Sequence, residues 1–452
     1  MTKSISKFYS IIFALLVMLG AFSLSLPGLN SSAQISYAFS DDQNGCAGGT
    51  VTVTASMPGT YKLYWGDEKG NRLTAENGNQ EIPYTEFGAV TVSKGEGSAD
   101  IYEYIAIPEG AETVLAYRGA FKKGQTAIPE DKQTVNGELL YSFGALSDVH
   151  FNRYNLSLTG DDACLAFRNA LDFMDKQDVS LVAISGDIST KAEEDSFRKF
   201  RDIVSDFDFP VYSSTGNHDV GYDEIWDQWH EYVNPDVYAN PDRADIELAE
   251  NGIDFVYKGT DLHGDVFIFL SQRYWDYNKE TSRLLEDSQL DWLEEKFEQY
   301  KDRHVYLYFH TFMADDNNNP ALGEGNLINN KGVTYDLTYT VGTADEVRMK
   351  ALLKEYKNVI FFNGHSHWDF DSYTLNEQTN ITSYGGQYAT FVHIPSVSSP
   401  RSVEPDSTER SERYMRSSQG YIINVYADKI VLTGVEFWGT RYLSYATFNI
   451  YN

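Results

Sequence analysis

The fold is decided by residues 141–150, which read YSFGALSDVH. Tyr141 to Leu146 form an apolar run of strand length, and two potential metal ligands, Asp148 and His150, follow it. In an extended backbone, alternate side chains point to the same side, so an Asp-x-His pair aims both groups in one direction. This stretch therefore predicts a strand that ends in a pair of ligands.

The same pattern recurs along the chain. Strand-like apolar runs alternate with segments of three- and four-residue hydrophobic spacing that predict helices, such as Cys164 to Met174 and Leu290 to Tyr300. This alternation favours a layered α/β domain, in which sites lie at strand ends. Four further strand-like runs lead into polar fragments: Gly186-Asp187, Gly216-Asn217-His218-Asp219, His310 and Gly364-His365-Ser366-His367.

These strand-end residues have the chemistry of metal ligands. Carboxylate, amide oxygen and imidazole together suit Zn, Mn or Fe. Any one fragment arises by chance, but five in order, in a chain with nine histidines, predict a metal site. The chain has only two cysteines, Cys46 and Cys164, so a zinc site built from several thiolates is excluded. One bridge between them and two separate thiols both stay open.

The motif series resembles that of the calcineurin-like metallophosphoesterases, over about residues 138 to 452. The resemblance implies a four-layer α/β/β/α sandwich and a centre of two transition-metal ions, Mn, Fe or Zn. It implies that Asp187 bridges the two ions. The other implied ligands are Asp148, His150 and His367 for one metal, and Asn217, His310 and His365 for the second.

The implied activity is the hydrolysis of a small phosphate ester, either a monoester or a diester, by a metal-activated water. His218 would stay unligated, as a catalytic group that contacts the phosphoryl oxygens or protonates the leaving group, and Asn217 would also contact substrate. Asp219 is a candidate to orient His218. Arg153, three residues after His150, is a candidate phosphate contact.

One position departs from the family pattern. Many members have an acidic residue three positions after the bridging aspartate, whereas this chain has Thr190 in the sequence Gly186-Asp187-Ile188-Ser189-Thr190. The usual acidic partner of the catalytic histidine is therefore in doubt.

The N-terminal residues 1–38 have the layout of a secretory signal peptide. Lys3 and Lys7 precede an uncharged apolar run from Ile11 to about Leu26. We expect cleavage after Ala38, with Ala33 as the alternative, and an uncleaved membrane anchor is the other interpretation. Each places the remaining chain outside the cytoplasm, secreted or held at the cell surface, and no later segment is apolar and long enough to span a bilayer.

Residues 39–135 have a different hydrophobic pattern from the rest of the chain. Short alternating runs separated by Gly, Asn and Pro predict a small all-β, sandwich-like domain that lies outside the resemblance. The metallophosphoesterase domain is expected over 138–452, with a polar loop at 399–418 and closing strands at 419–452.

The formal net charge of −30 limits which classes of molecule the protein is expected to bind. Such a field repels polyanions, so bulk binding of DNA or RNA is not expected, although a metal centre can still hold a small phosphate. The β domain could contact a glycan or a protein. The alternative function is therefore an extracellular binding or adhesion protein in which the metal domain is only structural.

Overall fold

The computed structural model describes residues 32–40, 45–152, 163–220, 225–240, 243–273, 284–311, 313, 344–371, 381–382, 388–403, 410–412 and 417–451. The apolar run from Ile11 to Leu26 and the candidate phosphate contact Arg153 lie outside these residues. None of the helices found within the described ranges combines the length and apolarity that crossing a bilayer requires.

The described part of the N-terminal domain consists mainly of strands. The described strands are β1 (Ala33–Phe39), β2 (Gly49–Ala55), β3 (Gly59–Gly66), β4 (Thr74–Asn77), β5 (Gln80–Pro83), β6 (Gly88–Val92), β7 (Glu96–Ile101), β8 (Thr113–Arg118) and β9 (Phe121–Ala127). They form sheets in the orders β1-β2-β7 and β6-β3-β8-β9, with β4-β5 as a separate hairpin. Val51, Val53, Leu63 and Val90 from the two sheets are fully buried in one core. The expected all-β region is confirmed.

Strand β1 begins inside the segment expected to be a signal peptide. It pairs antiparallel with β2 along its whole length, with Ala33 opposite Ala55 and Ala38 opposite Thr50. A cut after Ala38 would remove nearly all of this strand, whereas a cut after Ala33 would keep most of it. Strand β1 therefore belongs to the same sheet as β2, and it begins at Ala33.

A six-stranded sheet forms the first half of the following domain. Its strands are β10 (Leu139–Leu146), β11 (Leu181–Ser185), β12 (Val211–Ser214), β22 (Gln419–Tyr426), β23 (Lys429–Glu436) and β24 (Arg441–Tyr451), in the order β12-β11-β10-β22-β23-β24. The first three are parallel, and the three closing strands form an antiparallel meander. Strands β11 and β12 are buried along their whole length, and β10 is buried from Tyr141 onward, because both faces of the sheet are covered there.

A seven-stranded sheet forms the second half. Its strands are β13 (Ile246–Leu248), β14 (Phe255–Tyr257), β15 (Val266–Phe269), β16 (Val305–Tyr308), β17 (Val359–Asn363), β18 (Ile381–Thr382) and β19 (Thr390–His393), in the order β13-β14-β15-β16-β17-β19-β18. Within the expected polar loop at 399–418, β20 (Arg401–Val403) and β21 (Arg410–Glu412) form a short antiparallel pair.

The two sheets pack face to face, and helices cover their outer faces. The described helices are α1 (Ala163–Lys176), α2 (Glu194–Val204), α3 (Ile225–Tyr232), α4 (Pro235–Ala239), α5 (Asp287–Gln299) and α6 (Ala344–Glu355), and Glu130–Lys132 form a 3₁₀ turn. Phe143 and Phe267 meet between the sheets, with ring centroids 4.9 Å apart. Each such buried side chain stabilises the fold by about 1.5 to 3 kcal/mol.

The helices occupy the two outer layers. Phe167 of α1 and Phe200 of α2 pack against one sheet, and Leu293 of α5 and Met349 of α6 pack against the other. The expected four-layer α/β/β/α sandwich is confirmed. Cys46 in the β domain and Cys164 in α1 are both buried thiols that do not form a disulfide.

Strand β24 joins the two domains. Tyr442 forms a parallel bridge with Tyr84 of the β domain, and Phe448 forms an antiparallel bridge with Ile105. The main-chain N–H of Ala106 donates to the carbonyl of Thr447 at 2.7 Å. The β domain therefore packs directly against the closing strands.

Candidate metal centre

The expected ligands lie where the carboxyl ends of strands from both sheets meet. A hydrogen bond of 2.5 Å from His310 Nδ1 to the carbonyl of Ser185 ties the second sheet to the first at this edge. The residues and the strands that precede them are Asp148 and His150 after β10, Asp187 after β11, Asn217 and His218 after β12, His310 after β16, and His365 and His367 after β17.

One group of four residues has its ligand atoms directed at a common point. His367 Nε2 lies 2.9 Å from His150 Nε2 and 3.1 Å from Asp148 Oδ1. His150 Nε2 lies 3.4 Å from Asp187 Oδ2. One ligand atom from each of these four residues lies within 4.8 Å of the others, so together they can hold a metal ion.

A second group shares one member with the first. His310 Nε2 lies 3.1 Å from Asp187 Oδ2 and 3.2 Å from His365 Nδ1. These three residues can also hold a metal ion. Because the Asp187 carboxylate belongs to both groups, it lies between two adjacent potential metal positions.

Unused acceptors at the site fit a metal ion. Asp148 Oδ1, Asp187 Oδ2 and Asn217 Oδ1 are buried and accept no hydrogen bond from any residue that the structure describes. A buried polar atom left without a partner costs about 1 to 3 kcal/mol, and more when it is charged. Cations would satisfy all three oxygens, so the donor set matches a carboxylate, amide and imidazole metal site.

The backbone is strained where it presents the ligands. Five of the expected ligands have φ between 51° and 72°, in the left-handed region that non-glycine residues rarely adopt. Such strain costs about 1 to 3 kcal/mol per residue and clusters at functional sites. The five ligands are Asp148, His150, Asp187, His365 and His367.

Two glycines allow the ligand loops to approach one another. A Cβ at Gly216 would lie 2.6 Å from the main-chain nitrogen of Asp187, and one at Gly364 would overlap Ser147 and lie 2.5 Å from Asp148 Oδ2. These positions therefore require glycine because neighbouring ligand segments fill the space.

Main-chain carbonyls orient the imidazoles. His310 Nδ1 donates to Ser185, and His367 Nδ1 donates to the carbonyl of Ser399 at 3.3 Å. A carbonyl only accepts, so each Nδ1 carries the proton and each Nε2 is left to bind metal. His365 instead presents Nδ1 to the site, while its main-chain N–H donates to Asp148 Oδ2 at 3.0 Å.

His218 is held beside these groups through its other nitrogen. Its Nδ1 donates to the main-chain carbonyl of Thr190 at 2.8 Å, and its main-chain N–H donates to Asp187 Oδ1 at 2.8 Å. The ring packs edge-on against His150, with centroids 4.9 Å apart. The expected acidic partner at position 190 is thus replaced by the carbonyl of the residue found there.

The carboxylate of Asp219, the residue after His218, contacts main-chain groups of two ligand loops. Its carboxylate accepts hydrogen bonds from the main-chain N–H groups of Ile188 at 3.1 Å, Ser189 at 2.9 Å and Gly216 at 3.0 Å. It is fully buried, and burial raises its pKa to about 7. Asp219 therefore joins the loop that follows β11 to the loop that follows β12.

Burial and neighbouring charges have opposite effects on the pKa values of the candidate ligands. Burial alone would raise the pKa of Asp187, but the nearby His310 and His218 outweigh it and hold that pKa below its usual range. Burial lowers the pKa of His367 to about 4. An ionised Asp187 and a neutral His367 are in the states that bind metal, whereas Asp187 and Asp148 outweigh burial and raise the pKa of His310 to about 9, so a metal ion must displace a proton there.

Gln272 is a residue of the site that the sequence patterns did not single out. Its main-chain carbonyl accepts from Thr215 Oγ1 at 2.6 Å, and its side-chain oxygen accepts from Thr311 Oγ1 at 2.9 Å. The sequence pattern that could have identified Gln272 is the one that identified the ligands. Residues 266–272, VFIFLSQ, are an apolar strand followed by polar residues. His393, by contrast, donates to the carbonyl of Trp368 at 3.2 Å and supports the His365–His367 loop.

Comparison with solved structures finds proteins of low sequence identity. A purple acid phosphatase, PPD1, from yellow lupin (Lupinus luteus) seeds shares 14% identity, with 93% of this chain and 74% of that chain covered and a TM-score of 0.43. The structure of PhoD shares 11% identity, with coverages of 94% and 92% and a TM-score of 0.41. Comparison with curated protein sequences finds no match.

The family model gives the decisive match. The model described as calcineurin-like phosphoesterase matches residues 141–369, which is just over half of the chain. That range begins with β10 and contains every expected metal ligand, together with His218. On this match, the chain belongs to the calcineurin-like phosphoesterase family, whose members are metal-dependent hydrolases.

Proposed function

We propose that the chain is an extracytoplasmic phosphoesterase that uses two metal ions, Mn, Fe or Zn, to hydrolyse a small phosphate monoester or diester. The observation that carries this proposal is the position of Asp187, whose carboxylate belongs to both ligand groups. Two ions about 3.5 to 4 Å apart, sharing one carboxylate, form the arrangement that clamps a phosphoryl group.

The ligands divide between the two positions. Asp148, His150 and His367 would hold one ion, and His310 and His365 would hold the other, with Asp187 between them. Asn217 Oδ1, an unused buried acceptor, would complete the second position and contact substrate. Bound ions would activate a water and neutralise the charge on the phosphoryl oxygens.

His218 supplies the proton chemistry in this proposal. Hydrolysis adds the oxygen of water to phosphorus and breaks the bond from phosphorus to the ester oxygen, so the departing alkoxide needs a proton. With Nδ1 donating to Thr190, Nε2 is the nitrogen available to substrate. A protonated Nε2 can donate to a phosphoryl oxygen and then to the leaving group.

The negative net charge of the protein favours a small substrate over a polyanionic polymer. With 66 acidic against 36 basic residues, the protein repels extended polyanions. A single phosphate ester bound between two cations is neutralised locally and does not depend on the long-range field. The location outside the cytoplasm rests on the layout of residues 1–38.

The test combines metal content with ester hydrolysis. The purified chain is loaded with Mn, Fe or Zn and assayed with p-nitrophenyl phosphate and bis(p-nitrophenyl) phosphate, with and without a chelator. His218→Ala and Asp187→Ala are compared with His263→Ala, which changes an exposed histidine outside both ligand groups.

We expect about two metals per chain and chelator-sensitive turnover of at least one ester. His218→Ala should lose about 10²- to 10⁴-fold in turnover and keep its metal, whereas Asp187→Ala should lose metal and turnover together. His263→Ala should retain both. A loaded protein that turns over neither ester, or one saturated by a single ion, would contradict the proposal.

A further inference from the structure

A serine-rich segment after β19, residues 394–400 of sequence IPSVSSP, contacts two of the ligand loops. The main-chain N–H of Val397 donates to the carbonyl of Ser147 at 2.9 Å, in the loop after β10. The N–H of the next residue beyond the segment, Arg401, donates to the carbonyl of His367 at 2.7 Å, in the loop after β17. The first ligand group consists of Asp148, His150, Asp187 and His367, and the second of Asp187, His310 and His365.

The hydroxyl of Ser396 connects this segment to the first ligand group. It is fully buried and donates to the main-chain carbonyl of Asp148 at 2.8 Å. It also accepts the main-chain N–H groups of Ser399 at 2.9 Å and Ser398 at 3.3 Å. A hydroxyl has one proton and two lone pairs, so these three bonds use its whole hydrogen-bonding capacity.

The same hydroxyl supports His367 through Ser399. Nδ1 of His367 donates to the carbonyl of Ser399 at 3.3 Å, and the N–H of Ser399 is held by Ser396. Pro400 follows Ser399 and restricts it to extended backbone. Because His367 Nε2 lies 3.1 Å from Asp148 Oδ1, the Ser396 hydroxyl supports both members of a carboxylate–imidazole pair in the first group.

These two ligands depend on such support because their backbone is strained. The angle φ is 54° at Asp148 and 61° at His367. Residues other than glycine keep this conformation only where the surrounding structure holds them in it. The hydroxyl of Ser398 adds a second donor to the carbonyl of Asp148, at 3.2 Å.

The contacts of the segment favour one ligand group over the other. Among the described residues, the hydrogen bonds from Ser396–Ser399 to the ligand loops end at residues 147, 148 and 367. The second group is oriented from another part of the fold, since Nδ1 of His310 donates to the carbonyl of Ser185. Loss of the Ser396 hydroxyl should therefore affect the two metal positions unequally.

We infer that Ser396 is a positioning residue of the metal centre, which sets the affinity for the ion of the first ligand group. The inference rests on the two-ion site of the proposed function. Without the hydroxyl, the carbonyl of Asp148 and the N–H of Ser399 each lose a buried partner, so the Asp148 carboxylate and the His367 imidazole are held less firmly toward a common point. Loss of support of this kind commonly weakens metal affinity about 10- to 100-fold.

The test measures metal affinity, so its readout does not require turnover. Chelator-treated protein is titrated in a calorimeter with Mn²⁺ and Zn²⁺ as separate probes. Ser396→Ala is made in the wild type, in His150→Ala, which disrupts the first group, and in His310→Ala, which disrupts the second. Ser444→Ala is the matched control, since Ser444 is equally buried and its hydroxyl donates to the carbonyl of Thr85 at 2.7 Å, outside both groups.

We expect Ser396→Ala to weaken the remaining ion about 10- to 100-fold in the His310→Ala background, and to change it by less than about threefold in the His150→Ala background. In the otherwise unchanged chain, only one of the two dissociation constants should rise. Ser398→Ala should weaken the same ion less strongly, and it decides the matter if Ser396→Ala does not fold. Equal weakening of both ions, no weakening of either, or the same effect from Ser444→Ala would overturn the inference.

The inference and the proposed function fail in different ways. A wild type that binds two ions and hydrolyses neither ester contradicts the proposed function, while the two affinities still test Ser396. A wild type that hydrolyses an ester with two ions bound, and whose affinities are unchanged in Ser396→Ala and in Ser398→Ala, overturns only the inference.

Discussion

The Nδ1 of His218 donates to the main-chain carbonyl of Thr190 at 2.8 Å. A carboxylate in that position would stabilise the imidazolium strongly, whereas a carbonyl orients the ring with only a partial charge. The Thr190 side chain faces elsewhere, and its Oγ1 donates to the carbonyl of His150 at 3.1 Å. The orientation of the proposed catalytic histidine therefore depends on the backbone at position 190.

Replacement of the Thr190 side chain should thus have little effect on turnover. Thr190→Val keeps the carbonyl and removes only a hydrogen bond worth about 0.5 to 1.5 kcal/mol. We expect kcat/KM for the better p-nitrophenyl ester to stay within about threefold of wild type, against the large loss expected for His218→Ala. A hundredfold loss in Thr190→Val with metal content unchanged would show that the side chain itself acts on His218.

Gln272 should control how tightly the second metal is bound. It connects Thr215, two residues before Asn217, with Thr311, the residue after His310. Loss of such support commonly weakens metal affinity about 10- to 100-fold. We expect Gln272→Ala to lower the affinity for one of two ions in a metal titration, and Thr311→Val to do so less strongly.

A threonine outside the site provides the control for Thr311→Val. Thr60 is exposed on β3 of the β domain, so Thr60→Val should leave both affinities unchanged. Equal weakening of both ions in Gln272→Ala would instead indicate general loosening of the fold.

Gly364→Ala should destabilise the metal centre, although it adds only one carbon atom. The added carbon would overlap Ser147 and press on Asp148 Oδ2, and overpacking of this kind costs about 1 to 3 kcal/mol. We expect a lower melting temperature together with loss of bound metal. In Gly439→Ala the atoms nearest to the added carbon belong to the flexible Arg441 side chain, at 3.2 Å or more, so both measurements should stay near wild type.

Removal of metal should destabilise the protein. Without cations, the unused oxygens of Asp148 and Asp187 remain buried beside each other's charge. Ions that bind only the folded state stabilise it by mass action. We expect a chelator to lower the melting temperature by at least about 4 °C, measured by calorimetry. In Asp187→Ala the chelator should have almost no effect, and an equal drop there would point to metal bound elsewhere.

The mature N-terminus should lie at or before residue 34. A cut after Ala38 would remove the pairing of β1 with β2 that runs from Ala33 to Phe39. N-terminal sequencing of the exported protein is therefore expected to begin at Gln34 or earlier, and a chain that begins at residue 39 should unfold at a lower temperature. A stable exported protein that begins at Phe39 would contradict this.

The sequence was most informative for residues whose side-chain chemistry and position at the end of a strand both indicate metal binding. Asp148, His150, Asp187, His310, His365 and His367 could be selected from strand-end position and ligand chemistry, and the structure brings them into two groups. For Asp219, adjacency to His218 in the chain does not predict which donors surround its carboxylate, and these are the main-chain N–H groups of Ile188, Ser189 and Gly216. Thr190 and Gln272 act through hydrogen bonds made by or near the backbone, which leave no pattern in side-chain composition.

The sequence by itself determined the layered architecture and predicted the candidate ligands, because hydrophobic periodicity and coordination chemistry are local properties of the chain. Only the tertiary structure decided that a carbonyl orients His218, that the carboxylate of Asp219 joins two ligand loops, and that β1 starts at Ala33. Each of these depends on the distance between residues far apart in sequence, such as His310 and Ser185, and such distances are set by how the two sheets pack together.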